Sequence, residues 1–249
     1  MAHINFSIIC STFANPAQLK NFIWTVCNQD YQGSFETIIV DNASPLDEIQ
    51  MACCGWPARI KIKYYRIKPE DKICTNISAG INLAAQKACG SYFVIVADPN
   101  VLLSFNLLTK ISKVIKINSL VLSAGPGNDV KISPDGLQQT EYANLNRKQM
   151  EKENERLLKE MGWPCDPLKL KLLPNKHRWP PPHLSYDCYI AAMSKTNFYK
   201  YGQYPTKQNQ WGRYHDLYLQ KLASNLNEIR LEDIRIVHQF HRVWKEKSP

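Results

Sequence analysis

Apolar residues come in short runs along the first half of the chain, and stretches with helical spacing separate them. Ile4-Asn5-Phe6-Ser7-Ile8-Ile9-Cys10 predicts a strand that runs into the polar Ser11-Thr12-Phe13-Ala14-Asn15-Pro16. From Ala17 to Asn28, Leu19, Phe22, Ile23 and Val26 recur at helical intervals, with Asn15-Pro16 as the start signal. A second strand, Glu36 to Asp41, runs into Asn42-Ala43-Ser44, and Ile60 to Arg66 alternates apolar and basic residues as a strand near a sheet edge does. Asn76 is placed to cap a helix through Ala88 that Gly90 ends. Tyr92 to Ala97 is a wholly apolar, buried strand leading to Asp98-Pro99-Asn100. Ser104 opens another helix, and Leu120 to Ala124 reads as a further strand. Strands alternating with helices through residue 124 predict an α/β fold with a mostly parallel sheet.

Beyond Gly125-Pro126-Gly127 the pattern changes. Residues 144 to 161 predict a highly charged surface helix with a thin apolar stripe of Leu145, Met150, Leu157, Leu158 and Met161. Trp163-Pro164 and Trp179-Pro180-Pro181-Pro182 bracket an irregular stretch suited to lie over a cleft. An apolar run resumes from Asp187 to Ser194, and Tyr201-Gly202 ends a short helix. Trp211-Gly212-Arg213-Tyr214-His215-Asp216 precedes a helix containing Leu217, Leu219, Leu222 and Leu226. The tail has a strand-like Ile229 to Val237, then two histidines three apart, His238 and His241. The chain thus divides into an α/β half, 1–124, and a second half of the same domain, 125–249, with a helical insertion over about 140–182.

Composition narrows the class. At 249 residues, 44% hydrophobic and 21% charged, the chain has the make-up of a globular protein with a substantial core. No apolar run reaches the roughly 18 residues of a membrane span, and no basic region with an apolar core opens the chain, so a cytoplasmic protein is expected. Eight cysteines lack the two-residue spacing of a zinc or redox motif and are expected to be buried free thiols. The sequons at Asn42 and Asn76 then carry no glycan. A formal charge of +9 implies an anionic partner: a phosphorylated small molecule, an anionic membrane surface or nucleic acid. Charge alone does not choose among these. The aromatic residues are not interleaved with the basic ones as in single-strand binders.

The chemistry concentrates where the predicted strands stop. An open parallel sheet binds ligands beyond the carboxyl ends of its strands, and polar residues follow the first, second and fourth of them. These positions point to a nucleotide held near a metal.

Taken in order, the motifs resemble those of the family-2 glycosyltransferases, which have the GT-A fold. Ser7-Ile8-Ile9 through Pro16, with Leu19 and Asn28-Gln29-Asp30-Tyr31, looks like the family's opening strand, turn and helix. Ile38-Ile39-Val40-Asp41-Asn42-Ala43-Ser44 is similar to its second strand end, and Asn82 followed by Gly90-Ser91-Tyr92 matches its later spacing. The match covers about 4–124 well and 185–241 loosely. It implies a Rossmann-like three-layer GT-A fold with a helical or irregular C-terminal acceptor region.

The resemblance also implies roles. Thr12 and Asp41 would contact the ribose and base of a nucleotide sugar, the competing reading of Asp41 being a turn cap with Asn42 and Ser44. Asn82 would lie in the helix behind that pocket. Ile81 stands where the family often has Arg, so no phosphate contact carries over to that position. Asp98-Pro99-Asn100 falls at the family's Asp-x-Asp metal motif. Asp98 and Asn100 would hold Mn2+ or Mg2+ against the diphosphate, or else form an ordinary strand-ending turn. His238, preferred over His241, would complete that site or be a surface residue. His215-Asp216 stands where the family has a Glu-Asp pair, which makes Asp216 the candidate general base, with a helix N-cap as the alternative.

The expected activity is inverting, metal-assisted transfer of a sugar from a nucleoside-diphosphate sugar to a hydroxyl acceptor on a glycan, lipid-linked saccharide, protein or modified nucleic acid. The alternative is an inactive nucleotide-sugar- or glycan-binding module, suggested by the altered metal and Glu-Asp motifs. A nucleotidyltransferase is disfavoured because Ser11 to Pro16 contains no glycine for a phosphate loop.

Overall fold

The computed structural model describes residues 5–45, 48–55, 61–72, 77–96, 99, 101–123, 190–201, 203–206, 213–231 and 237–238, with the backbone alone at 17, 48, 213–217 and 237–238. The first βαβ unit is β1 (Phe6–Thr12), α1 (Pro16–Cys27) and β2 (Phe35–Asn42). Then follow α2 (Glu48–Ala52), the edge strand β3 (Lys61–Ile67), α3 (Ser78–Lys87) and β4 (Tyr92–Val96). The short β5 (Val101–Leu102), α4 (Leu107–Val114) and β6 (Ser119–Ser123) complete the first half. After residue 189 come β7 (Ile190–Ser194), α5 (Lys195–Lys200), α6 (Arg213–Ala223), β8 (Asn227–Leu231) and β9 (Val237–His238).

Seven strands form one sheet in the order β3-β2-β1-β4-β7-β6-β8. Only β7 runs against its neighbours β4 and β6, so the sheet is mostly parallel as predicted. Every residue of β1 is buried, because helices cover both faces. On one face, α1 contributes Leu19, Phe22, Ile23 and Val26 at i, i+3, i+4 and i+7, beside Ile49 of α2 and Leu108 and Ile111 of α4. Fully burying each such side chain stabilises the fold by about 1.5–3 kcal/mol. On the other face, Ile81, Ala84 and Ala85 of α3 pack with Phe198 of α5 and Leu219 and Leu222 of α6. The result is the expected three-layer α/β architecture.

Several boundaries differ from the sequence pattern. Helix α3 begins at Ser78 after Ile77, without a side-chain cap, and Asn76 lies outside the described residues. The helix closes at Ala88, two residues before Gly90. Gly90 serves packing instead: a Cβ there would come within 2.6 Å of Ser7 Oγ and 2.7 Å of the Phe6 backbone. Ser104 does not open α4, whose cap position is Asn106. Leu226 falls beyond the end of α6.

The cysteines also depart from expectation. Cys10 and Cys27 are buried free thiols, but Cys54 and Cys89 are exposed, because α2 and α3 end at the surface there. The charged helix over 144–161, the insertion over 140–182 and both Trp-Pro segments lie outside the described residues. Among the described residues, no helix is long and apolar enough to cross a membrane.

Candidate functional site

The parallel register pairs Thr12 at the end of β1 with Asp41 near the end of β2. Strand alternation puts both on the face of Cys10 and Ile39, which α1 and α2 cover. Both side chains are buried. Asp41 is held from three directions. Its Oδ1 accepts the Ser44 N–H at 2.9 Å, while Oδ2 accepts the Tyr64 hydroxyl at 3.2 Å and lies 3.5 Å from Arg66 Nε. The turn-cap reading of Asp41 is therefore present in the structure. Burial, then the charge on Asp41, pushes the Tyr64 hydroxyl pKa up, so that phenol stays a proton donor to the carboxylate.

Ser44 ties the ends of β1 and β2 together. Its hydroxyl accepts from the Ala14 N–H at 2.8 Å, and its carbonyl accepts from Arg66 Nη2 at 2.6 Å. Both chain turns are strained: Ala14 has φ of 54° and Ala43 φ of 62°, a left-handed backbone that costs an alanine roughly 1–2 kcal/mol. Backbone strain of this kind concentrates at binding sites, where it sets the shape of the rim. Beside these satisfied groups, Thr12 Oγ1 is buried and has no hydrogen-bond partner. A buried hydroxyl left unpaired costs about 1–3 kcal/mol, which a ligand reaching it would recover.

Helix α3 presses on the opposite face of β1, where Gly80 meets Ser11 so closely that any Cβ would overlap Ser11 Oγ. Two residues on, Asn82 engages the segment after α5. Its Nδ2 donates to the Tyr204 carbonyl and its Oδ1 accepts the Tyr204 N–H, each at 2.9 Å. Asn82 is thus in the predicted helix, with its amide committed to Tyr204. Between α3, the end of β3 and Tyr204 lies a cleft of about 510 Å3, whose walls include Arg66, Lys68, Asp71, Gln86 and Gln203.

The remaining predicted residues are placed only in part. Asp98 and Asn100 lie outside the described residues, as does His241. Strand β5 begins directly after Asn100 and pairs with β9, which sets the backbone of His238 opposite Val101. Residues 137 positions apart in the sequence, Val101 and His238, thereby face each other in one two-stranded ribbon. Among the described residues, no group of three His, Cys, Asp or Glu side chains is poised to hold a metal. Asp216 is the fourth residue of α6, inside its first turn, so its backbone is not at the N-cap.

Sequence reasoning did not find Tyr64, Arg66 or Tyr204. The first two are two apart in β3 and so share a face, a signal the sequence carries; that the face meets Asp41 depends on strand order. Tyr204 carries no motif, and only the tertiary contact with Asn82 reveals it.

No protein-family model matches the chain, and no curated protein matches it significantly. Solved structures do. The mannosyltransferase PcManGT of Pyrobaculum calidifontis, determined with GDP-Man and Mn2+, aligns over 93% of this chain and 55% of its own, with a TM-score of 0.57 and 16% identity. TarS 1–349 of S. aureus with UDP-GlcNAc aligns over 97% and 60%, with a TM-score of 0.60 and 14% identity. A longer TarS structure aligns over 92% and 35%, with a TM-score of 0.60. This chain therefore spans 35% to 60% of the length of these two TarS structures. At such identity the likeness shows the fold: the chain has the Rossmann-like GT-A architecture of these glycosyltransferases.

Proposed function

We propose that this chain is a glycosyltransferase that takes a nucleoside-diphosphate sugar at the rim formed by Thr12 and Asp41 and transfers its sugar, with inversion, to a hydroxyl acceptor. The observation that carries the reading is the rim itself: two strained turns, a fixed carboxylate and an unpaired buried hydroxyl, in a fold whose solved examples hold GDP-Man, UDP or UDP-GlcNAc. Thr12 Oγ1 supplies a hydrogen bond to the nucleoside, and Asp41 accepts one from the base through its remaining lone pairs. Arg66, partly exposed over Asp41, must yield for the base to reach it. Asn82 backs the pocket by holding Tyr204 in place.

Asp98, Asn100 and His238 form the proposed cation site, supported by the β5–β9 pairing that draws His238 toward the residue after Asn100. Oxygen and imidazole ligands suit Mn2+ or Mg2+, and such an ion, when bound, neutralises charge on a diphosphate. Asp216 acts as the general base: its carboxylate takes the proton of the acceptor hydroxyl as that oxygen attacks the anomeric carbon opposite the departing diphosphate.

The test is release of nucleoside diphosphate from a panel of nucleotide sugars with manganese present. Turnover with at least one sugar donor is expected. Binding of nucleotide without turnover of any would overturn transfer in favour of a binding module. Asp216→Asn should keep nucleotide affinity and lose roughly a hundredfold or more in transfer. Asp98→Ala should abolish manganese-dependent tightening of nucleoside diphosphate binding in calorimetry.

A further inference from the structure

The end of the sheet opposite the rim has a surface of a different kind. Ile117 and Tyr199 are 54% and 40% exposed. They belong to one patch. The Ile117 carbonyl accepts hydrogen bonds from Ser194 Oγ at 3.0 Å and from Asn197 Nδ2, which fastens the loop after α4 to the start of α5. Tyr199 lies one helical turn after Lys195, whose Nζ donates to the Ala88 carbonyl at 2.7 Å and draws the end of α3 into the same patch. Asn227 donates its N–H to the Asn118 carbonyl at 2.9 Å and adds the start of β8.

Lys113 and Lys116 flank Ile117 along the chain, and Lys195 and Lys200 share the helix of Tyr199, which the bonds from Ser194 and Asn197 fasten to the Ile117 carbonyl. Among the described residues none of the four forms an ion pair, though Lys195 lies over the Phe93 ring and Lys200 over the Tyr201 ring. The described carboxylates at this end are already engaged: Glu36 with Lys63, Glu228 with Arg230, and Asp30 with the Thr109 hydroxyl. Lys113 and Lys200 stand in the last turns of their helices, where a cation complements the helix dipole. That accounts for those two, and the Ala88 carbonyl with the Phe93 ring accounts for Lys195, but not for Lys116 or the exposed apolar pair.

We propose that this end docks on an anionic phospholipid surface, the lysines lying against the phosphates and Ile117 and Tyr199 entering the headgroup layer. Lysines without a carboxylate partner beside a small apolar protrusion match the two attractions such a surface offers, and a soluble polyanion offers only the first. β1 runs from Phe6 at this end to Thr12 at the rim, seven residues at about 3.3 Å each. Docking this way therefore turns the rim away from the bilayer, toward the aqueous phase.

The experiment is sedimentation of the full chain with vesicles of phosphatidylcholine alone and with about 30% phosphatidylglycerol, beside binding to soluble heparin. Sedimentation with the anionic vesicles only is expected. Lys113→Gln with Lys116→Gln should lower the vesicle partition coefficient roughly 25-fold, about fivefold per lysine. Ile117→Ser should weaken vesicle binding and leave heparin binding unchanged. All three positions are exposed, so nucleotide binding at the rim should not move, and this result stands or falls independently of the proposed transferase activity. Absence of anionic-vesicle binding, equal binding by the variants, or binding to heparin alone would each overturn the proposal, the last in favour of a soluble polyanion.

Discussion

The side-chain amide of Asn82 clasps the backbone of Tyr204 from both sides, 2.9 Å at each contact, across a separation of 122 residues. An amide matches a peptide unit because it presents one donor and one acceptor in one plane, so a single side chain satisfies both polar groups of a buried residue. Asn82→Ala leaves the Tyr204 N–H and carbonyl without these partners. A loss of about 2–4 kcal/mol is expected in urea unfolding. Nucleoside diphosphate affinity should change by less than about threefold, since the amide acts on Tyr204 and not on the ligand. A large loss of affinity at unchanged stability would instead put the amide on the nucleotide.

Thr12 makes the opposite prediction. Its hydroxyl is buried and unpartnered, so the free protein gains nothing from it. Thr12→Val is close in shape and removes the unpaired group. The variant should be as stable as the parent or more stable, by up to about 1 kcal/mol in thermal unfolding. Nucleotide affinity should fall roughly three- to tenfold, the size of one neutral hydrogen bond. Equal affinity for both proteins would remove Thr12 from the site.

The sequence made the strand–helix alternation readable because β1, β2 and β4 are covered on both faces and so carry unbroken apolar runs. Edge position also showed: the alternating basic residues of β3 predicted it, and β3 borders the sheet. Helix starts were less legible. Asn76 and Ser104 look like caps, yet the described ends of α3 and α4 make no side-chain cap bond, and packing against the sheet fixes where those helices begin. Thr12 and Asp41 were found as strand-end residues, but their pairing needed the register. The anchors of Asp41 were hidden for the same reason, since nothing local says that Arg66 of a third strand lies over it. Asn82 was placed in the right helix and tied to the pocket only through Tyr204, a long-range contact with no local trace.

Thiol accessibility tests the corrected cysteine picture. Cys54 and Cys89 are exposed and should react with iodoacetamide in the folded protein, while Cys10 and Cys27 wait for unfolding. Cys53 is the informative one. Although only partly buried, its thiol is pushed up to about 12 by burial, with the neighbouring Cys54 and Asp41 adding to the effect. The thiolate is the reactive form, so near neutral pH Cys53 should alkylate at least ~100-fold more slowly than Cys54 beside it. Peptide mapping after timed alkylation reads both rates, and equal labelling of the pair would refute the assignment.

Glu36 gives the fold a predictable pH dependence. It is buried at the start of β2, and burial by itself would raise its carboxyl pKa. Hydrogen bonds from Lys63, the Cys89 N–H and Ser7, with the Lys63 charge, outweigh that and hold the group below its ordinary value. A depressed folded pKa means that the stabilisation is complete above the unfolded value of about 4.5 and is lost as pH falls through the folded one. Lys63, 2.8 Å away, has the reverse shift: its bond to Glu36 raises it, so the same pair weakens again as pH climbs past the ordinary lysine range. Lys63 is 21% exposed, which holds the contribution to about 1–2 kcal/mol. Chemical unfolding of the parent and Glu36→Gln should therefore differ by that amount between about pH 5 and 9 and converge as pH falls through the lowered folded value of the carboxyl. Lys63→Met should remove the alkaline fall and keep part of the acid one, because the Ser7 and Cys89 bonds remain. A difference that does not vary with pH would show that the network stabilises through shape alone.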